Sequence, residues 1–156
     1  MTARPPSRLA AREPAPPHLV SNLELRVRFR ETDLMGIVHH ANYLTYFEAG
    51  RVDWLRKRGL YYDTWIQQGI HLPVVETRLR YKKAAKFDDV IVIETTCASV
   101  TRVTMRFDYR VLRGPDVLCE GETLLACVGD DLAPTRIPPL MAEVLARAEL
   151  PPAEWK

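Results

Sequence analysis

The stretch from His40 to Arg58 constrains the fold most, because it is apolar around most of a helical wheel. Gly50 is its one helix breaker. The large apolar side chains around the wheel are Tyr43, Leu44, Tyr46, Phe47, Val52, Trp54 and Leu55. A helix that is apolar over so wide an arc is wrapped by other elements and does not lie on a surface. Three consecutive basic residues and then Gly59 mark its end, since they suit the negative helix terminus and a C-cap.

Segments with the pattern of strands lie on both sides of this helix. Before it, apolar residues alternate with charged ones, which is typical of a half-buried strand. The apolar positions are Leu23, Leu25, Val27 and Phe29. After the helix, extended segments are predicted at residues 71–81, 89–98, 103–111 and 117–128. Because the turns between them are too short for crossover helices, we predict an α+β domain with an antiparallel sheet around one long helix.

Short helical segments are predicted at residues 62–68 and 138–148. Residues 1–20 contain five prolines, which prevent regular structure, and we interpret them as a disordered arm. Residues 21–150 are predicted to form a single domain. The arm lacks the continuous apolar segment of a secretory signal, and no run reaches the roughly 18 apolar residues of a membrane-spanning helix. We therefore expect a cytoplasmic protein without a membrane span.

The net charge and the cysteine content bear on the partners and on the cellular compartment that we expect for this protein. The chain has 22 Lys and Arg against 20 Asp and Glu, and the arm alone accounts for the net charge of +2. A neutral domain lacks the broad basic field that nucleic-acid binding usually needs, so we do not expect such a partner. The three cysteines are odd in number, and none forms a C-x-x-C pair. They are predicted to be small buried hydrophobic residues in a reducing compartment.

The segment from Arg30 to Tyr43 carries the residues best suited to chemistry. Asp33 lies at a strand end, on a loop just before the long helix. The first turn of that helix presents unpaired N–H groups, which stabilise an oxyanion while a carboxylate attacks or activates water. This arrangement indicates acyl transfer. The alternative is that Asp33 is only a helix N-cap.

The same segment resembles the signature of hotdog-fold thioesterases, in the group of 4-hydroxybenzoyl-CoA thioesterase and YbgC-type acyl-CoA thioesterases. The matching residues are Asp33 and the run Gly36-Ile37-Val38-His39-His40-Ala41-Asn42-Tyr43, continuing into Phe47-Glu48 and Trp54-Leu55. The resemblance extends over roughly residues 23–140. It implies a hotdog fold, in which five or more antiparallel strands wrap a long helix, and hydrolysis of an acyl- or aroyl-CoA thioester.

The resemblance also implies site residues. Asp33 matches the catalytic carboxylate, which acts as nucleophile or general base, and the backbone N–H of His40 matches the group that polarises the thioester carbonyl. Gly36 matches a glycine that lets the chain turn closely past the substrate. The remaining residues that we place at the substrate are Val38, His39 and Tyr43. No metal is expected at His39 and His40, because adjacent histidines have no obvious further ligands. No bound cofactor is expected either.

Several side chains have two interpretations. Lys82 and Lys83, with Lys86, form a cluster that suits the phosphates of coenzyme A or a solvated face. Glu48 is either a second carboxylate, as in some hotdog enzymes, or the partner of Arg51 in an i,i+3 ion pair.

Other functions and partners remain open. An acyl carrier protein is the alternative carrier of the acyl group, with an acidic surface that would suit the arginines between residues 102 and 113. A non-catalytic acyl-CoA binding or scaffold protein is a further class, although binding alone has no use for a carboxylate that faces a neutral thioester. The resemblance implies a homo-oligomer, dimer or tetramer, with its site between subunits.

Overall fold

A computed structural model describes residues 15–147, which form one antiparallel sheet, one long helix and two shorter helices. The strands are β1 (Val20–Arg26), β2 (Val74–Tyr81), β3 (Val90–Val100), β4 (Thr104–Arg113) and β5 (Asp116–Ala126). The helices are α1 (Asn42–Arg56), α2 (Tyr62–Gln67) and α3 (Pro139–Ala146), and short 3-10 turns span Pro17–Leu19 and Phe29–Glu31. No helix within the described range is long and apolar enough to cross a membrane.

The five strands pair in the order β1-β3-β4-β5-β2, and every pairing is antiparallel. β1 and β2 are therefore the two edges of the sheet, although they are far apart in the chain. The predicted α+β class and antiparallel pairing are confirmed. The pairing of β2 with β5 brings the end of β2 beside the start of the long helix. The end of β2 thereby forms one wall of the candidate site.

Helix α1 lies against the sheet through large aromatic side chains and one glycine. Phe47 stacks on Tyr109 with ring centroids 4.3 Å apart, and Trp54 packs edge-on against Phe107. Gly50 lies between these two aromatic pairs, where a Cβ atom would meet the side chain of Ile93 at 2.7 Å. The missing side chain therefore lets the helix approach the strand closely. The predicted packing of the helix against the sheet is confirmed, but the helix is not wrapped on all sides within the described residues, because Leu44, Thr45 and Glu48 are exposed on its opposite face.

Both ends of β1 differ from the prediction. β1 ends at Arg26, and Phe29 lies in the following 3-10 turn with 77% of its surface exposed, so it does not belong to the buried strand face. At the other end of β1, the turn Pro17–Leu19 and the first strand residue, Val20, lie inside the predicted arm. The Trp54 indole N–H donates to the Leu19 carbonyl at 2.7 Å, which holds this segment on the helix. Residues 1–14 of the predicted arm and residues 148–150 of the predicted domain lie outside the described residues.

All three cysteines are buried and free. Burial raises the pKa of Cys97 and of Cys119 to about 12, and it also raises the pKa of Cys127. A thiol with so high a pKa carries almost no thiolate at neutral pH, and the thiolate is the reactive form. The cysteines therefore act as small core residues, as predicted.

Candidate active site

Asp33 lies on a tight loop between β1 and α1. Thr32 pairs with Val38 across this loop, and the Asp33 N–H donates to the Ile37 carbonyl at 2.9 Å. The turn closes through Gly36, whose φ of 75° lies in the left-handed region that favours glycine. The resemblance assigned this glycine to a close turn of the chain, and the left-handed backbone agrees with that role.

The Asp33 side chain does not cap helix α1. Its Oδ1 accepts the N–H of Met35 at 2.8 Å, a local turn within the same loop, and the helix begins only at Asn42. The carboxylate is partly exposed. The interpretation of Asp33 as a simple N-cap is therefore wrong, and its carboxylate lies on a hydrogen-bonded loop that reaches solvent.

The backbone amides at the start of α1 are only partly satisfied within residues 15–147. The Nδ1 atom of His39 accepts the N–H of Ala41 at 3.2 Å, and the His39 carbonyl accepts the N–H of Asn42 at 2.9 Å. Between these bonds, the N–H of His40 has no acceptor among the residues that the structure describes. This amide is the one that the resemblance assigned to the thioester carbonyl. The His40 side chain is exposed and packs against the His39 ring.

The end of β2 and the segment that follows it contact the Asp33 loop and the start of α1. The Val38 N–H donates to the Ala85 carbonyl at 2.8 Å, and Ile37 forms an isolated bridge with Lys86. The Tyr81 hydroxyl, at the end of β2, donates to the His40 carbonyl at 3.0 Å. The sequence analysis did not single out Tyr81 as a site residue. Its contact with His40 depends on the pairing of β2 with β5, which no local pattern specifies.

Glu31 is a second residue that the sequence analysis missed. It is only 5% exposed, and its carboxylate accepts hydrogen bonds from Arg28 and from the Tyr46 hydroxyl. Burial by itself would raise the pKa of Glu31, but these hydrogen bonds and the Arg28 charge hold the pKa below its ordinary value. Its i,i+3 spacing from Arg28 was the one available signal in the sequence. Glu31 is therefore an ionised, buried carboxylate two residues before Asp33.

The other predicted site residues fall into two groups. Val38 and Tyr43 are buried in the core, and burial raises the pKa of the Tyr43 hydroxyl. Lys82 and Lys83 are at the surface but form ion pairs, with Glu120 at 3.0 Å and with Asp116 at 2.6 Å. Lys86 forms no ion pair with any described residue, and its bridge to Ile37 places it beside the Asp33 loop.

Glu48 does not form the predicted ion pair with Arg51. Arg51 points into the core, where it is 6% exposed and donates to the hydroxyls of Tyr62 and Tyr109. Glu48 is exposed on α1. The ion-pair interpretation is wrong because the helix turns Arg51 toward the sheet. Within residues 15–147, no group of three or more His, Cys, Asp or Glu side chains is arranged to hold a metal ion.

Large apolar side chains are exposed around the same loop. Leu34 and Met35 follow Asp33 directly, and the rings of Phe29 and Phe87 pack edge-on at 5.7 Å between centroids. A contiguous exposed apolar surface on a globular domain commonly marks a site for a ligand or another subunit. The loop therefore combines a carboxylate, a free amide donor and an apolar surround.

Comparison with known proteins identifies the family. The sequence model of the Thioesterase-like superfamily matches residues 27–148. An acyl-CoA thioesterase YbgC of Haemophilus influenzae is 34% identical over 105 residues, which cover 67% of this chain and 77% of that protein.

Solved structures agree with this result. A DHNA-CoA thioesterase from Staphylococcus aureus has a TM-score of 0.78 and 30% identity, over 81% of this chain and 89% of that chain. A 4-hydroxybenzoyl-CoA thioesterase has a TM-score of 0.73 at 23% identity, over 81% and 98%, which shows the shared fold. The chain therefore belongs to the Thioesterase-like superfamily, and it is a hotdog-fold thioester hydrolase related to the YbgC acyl-CoA thioesterases.

Proposed function

We propose that this acyl-CoA thioesterase uses Asp33 as its reactive carboxylate and the His40 N–H as the donor that polarises the thioester carbonyl. The observation that carries the proposal is the presence of both groups on one braced segment between β1 and α1. The carboxylate is partly exposed, and the His40 amide has no acceptor among the described residues. A fixed donor that is aimed at developing negative charge costs no reorganisation during reaction.

Two routes fit this arrangement. In the first, an Asp33 oxygen attacks the thioester carbon, the C–S bond breaks, and water then hydrolyses the resulting anhydride to the free acid. In the second, Asp33 takes a proton from water while the water oxygen attacks the same carbon, and the C–S bond then breaks as the proton passes from Asp33 to the leaving sulfur. Both routes place negative charge on the carbonyl oxygen, where the His40 N–H stabilises it. Coenzyme A leaves as the thiol and is not a retained cofactor.

The acyl group and the coenzyme A phosphates would meet different parts of the surface. The apolar surround at Leu34 and Met35 suits a bulky aliphatic or aromatic acyl group. Of the lysine cluster, Lys86 is the member without an ion pair among the described residues, and it lies beside the loop. We therefore favour Lys86 for the first phosphate contact. Lys82 and Lys83 would have to exchange their carboxylate partners for phosphate.

A homo-oligomer is also part of the proposal. β2 is an edge strand with nearly all of its residues exposed, and its valines Val74 and Val75 are among the exposed apolar side chains. An unpaired strand edge favours pairing with another chain. A second copy at this edge would cover the apolar side chains and lie next to Tyr81, which contacts His40.

An acyl carrier protein is the less favoured carrier. Three of the arginines that could have formed a docking row along β4 are already paired with carboxylates: Arg106 with Asp108, Arg110 with Glu94, and Arg113 with Asp89. An acidic partner would therefore meet a largely neutralised surface. We infer that coenzyme A delivers the acyl group.

The decisive experiment measures thiol release from short-chain, long-chain and aromatic acyl-CoA esters with a chromogenic thiol reagent. Asp33→Asn should lower kcat/KM by about 10²-fold or more, because the change keeps the shape and removes the charge and basicity. Asp63→Asn is the matched control, since Asp63 is exposed on α2 and asparagine keeps its role as acceptor for the Thr64 N–H.

Each outcome decides between the alternatives. Full activity in Asp33→Asn would contradict the proposal and make the exposed Glu48 the next carboxylate to test. Turnover of acyl carrier protein esters but not of coenzyme A esters would reverse the choice of carrier. Tight binding of coenzyme A esters without any turnover would leave a binding or scaffold protein.

A further inference from the structure

We propose that Glu31 is a positioning residue, which holds the Asp33 loop in register with the free N–H of His40. The inference rests on the proposed function of Asp33. Glu31 does not contact the reacting atoms in this arrangement, because its carboxylate is buried and faces Arg28 and Tyr46. Its effect on catalysis would be exerted through the backbone of the loop.

The Glu31 carboxylate is bound on both oxygens. Oε2 accepts the backbone N–H of Arg28 at 2.7 Å and the Tyr46 hydroxyl at 3.0 Å. Oε1 accepts two guanidinium N–H groups of Arg28, at 3.0 and 2.8 Å. A carboxylate with this many donors and an adjacent cation stays ionised when buried. Since its oxygens are occupied, Glu31 is not free to act as a base toward water.

The Glu31 backbone fixes the other side of the loop. Its carbonyl accepts the N–H of His39 at 2.9 Å and the side-chain amide of Asn42 at 2.7 Å. The same residue is therefore tied to the end of the β1 segment through Arg28 and to the start of α1 through His39, Asn42 and Tyr46. Asp33 lies inside the loop that these bonds close.

This arrangement fixes two groups that must act together. The His40 N–H directly follows His39, which Glu31 holds, and Asp33 is two residues after Glu31. If the Glu31 bonds loosen, the distance between the carboxylate and the amide donor changes without the loss of either group. Displacements of about 1 Å in a reacting geometry can cost about 10²-fold in rate.

The Arg28 guanidinium also balances the charge of Glu31. The Asp33 route develops negative charge on the carbonyl oxygen, and an unbalanced carboxylate nearby would oppose that charge. Because Arg28 pairs with Glu31 directly, the buried carboxylate braces the loop with its charge balanced locally. Glutamate therefore supplies four acceptor contacts here without adding a net charge to the site.

Two variants would weaken the hydrogen bonds of the Glu31 carboxylate to different extents. Glu31→Gln replaces one acceptor oxygen with a donor that faces the N–H groups of Arg28, and Tyr46→Phe removes one hydrogen bond but keeps the Arg28 pair. We expect kcat to fall by about tenfold or more in Glu31→Gln and by less in Tyr46→Phe, with KM changed by less than about twofold in both.

Tyr109→Phe is the matched control. It removes a buried phenol that is bonded to Arg51 and Thr123, away from the loop. We expect it to lower thermal stability by a similar amount to Tyr46→Phe and to leave kcat unchanged. If Glu31→Gln does not fold, Tyr46→Phe against Tyr109→Phe decides the question alone.

A double-mutant comparison separates positioning from general stability. If Glu31 acts through Asp33, then Glu31→Gln should cause no further loss in the Asp33→Asn background, because the geometry it protects has already lost its function. Equal fold-losses in both backgrounds would overturn the inference, as would an unchanged kcat with a lowered melting temperature. Full activity in Asp33→Asn alone would instead overturn the proposed function, and this inference with it.

Discussion

The two ends of helix α1 differ in how their terminal backbone groups are hydrogen-bonded. At its C-terminal end, the last backbone carbonyls of the helix accept hydrogen bonds from the Arg58 side chain and from the N–H groups of the turn that follows. At its N-terminal end, the N–H of His40 has no acceptor among the described residues, and the N-cap residue, Ala41, has no side chain that could supply one. The contrast separates a structural end from the end that we propose to be functional on a single element.

Arg58 closes the C-terminal end. Its guanidinium is buried, lies 3.8 Å from the Trp54 ring centroid, and donates to the Trp54 carbonyl, the Ser21 hydroxyl and the His18 carbonyl. Gly59 then adopts a φ of 72°, which ends the helix. Burial lowers the pKa of Arg58 to about 10, so the guanidinium remains protonated at neutral pH.

The N-terminal end is braced from outside the helix. Glu31 binds His39, Asn42 and Tyr46, so the first turn is held without blocking the His40 N–H. An ordinary N-cap would supply a side-chain oxygen to the first-turn amides. We conclude that a helix terminus can be rigid and still offer a donor to a ligand when its brace comes from the preceding loop. Substitutions at each end of α1 would test this contrast.

Arg58→Ala should destabilise the protein by about 3 kcal/mol, because it removes buried packing and leaves several acceptors without a donor. Urea unfolding measures the change. Arg56→Ala is the control at the same helix end, since Arg56 is exposed, and it should change stability by less than about 0.5 kcal/mol. At temperatures where Arg58→Ala remains folded, its kcat should match that of the wild type. A loss of kcat there would mean that the two ends are not independent.

Gly50→Ala should destabilise by about 2 kcal/mol, although alanine is the better helix former. The new methyl group would meet the side chains of Thr95 and Ile93 on β3, so the helix or the strand must move. Thermal unfolding measures the change, with Thr45→Ala on the exposed face of the same helix as control. Equal stability of the two variants would contradict the close approach of α1 to the sheet.

His39→Ala should cost about 1 kcal/mol, because it removes the ring nitrogen that accepts the Ala41 N–H. His39→Asn keeps a side-chain acceptor and should recover most of this loss. Activity should follow stability in this pair, since the cap orients the turn that presents the His40 N–H. If the two variants have the same activity and stability, His39 does not cap the turn.

Thiol labelling should distinguish the two ends in the native state. Cys119 lies opposite Tyr81 in the β2–β5 pairing, and the Tyr81 ring packs against Tyr43 near the start of α1. Cys97 lies near the other end, where burial raises its pKa and the Arg58 charge lowers it. Because burial raises both thiol pKa values to about 12, labelling at pH 8 should require local opening. We expect Cys119 to be modified severalfold faster than Cys97, as read by mass spectrometry of peptides. Faster labelling of Cys97 would place the less stable end at Arg58.

Much of this protein could be predicted because its signals are local. The alternation before the helix, the apolar wheel and the basic residues before Gly59 each report on a few neighbouring positions, and the strands and helices appear close to where these patterns place them. The Asp33-to-Tyr43 motif likewise occupies consecutive residues. The prediction that placed Phe29 in the first strand was wrong, because alternation alone does not show where a strand stops pairing.

The sequence by itself determined the element types and the loop that carries Asp33, because these depend on backbone preferences and on periodicity within a few residues. Only the tertiary structure decided which groups complete the site. Tyr81 reaches His40 across the β2–β5 pairing, and Glu31 meets Tyr46 because the loop folds back on the helix. The same is true of Arg51, which does not pair with Glu48 because the core supplies two phenol oxygens as acceptors, those of Tyr62 and Tyr109. Long-range pairing sets such contacts, and no spacing along the chain encodes them directly.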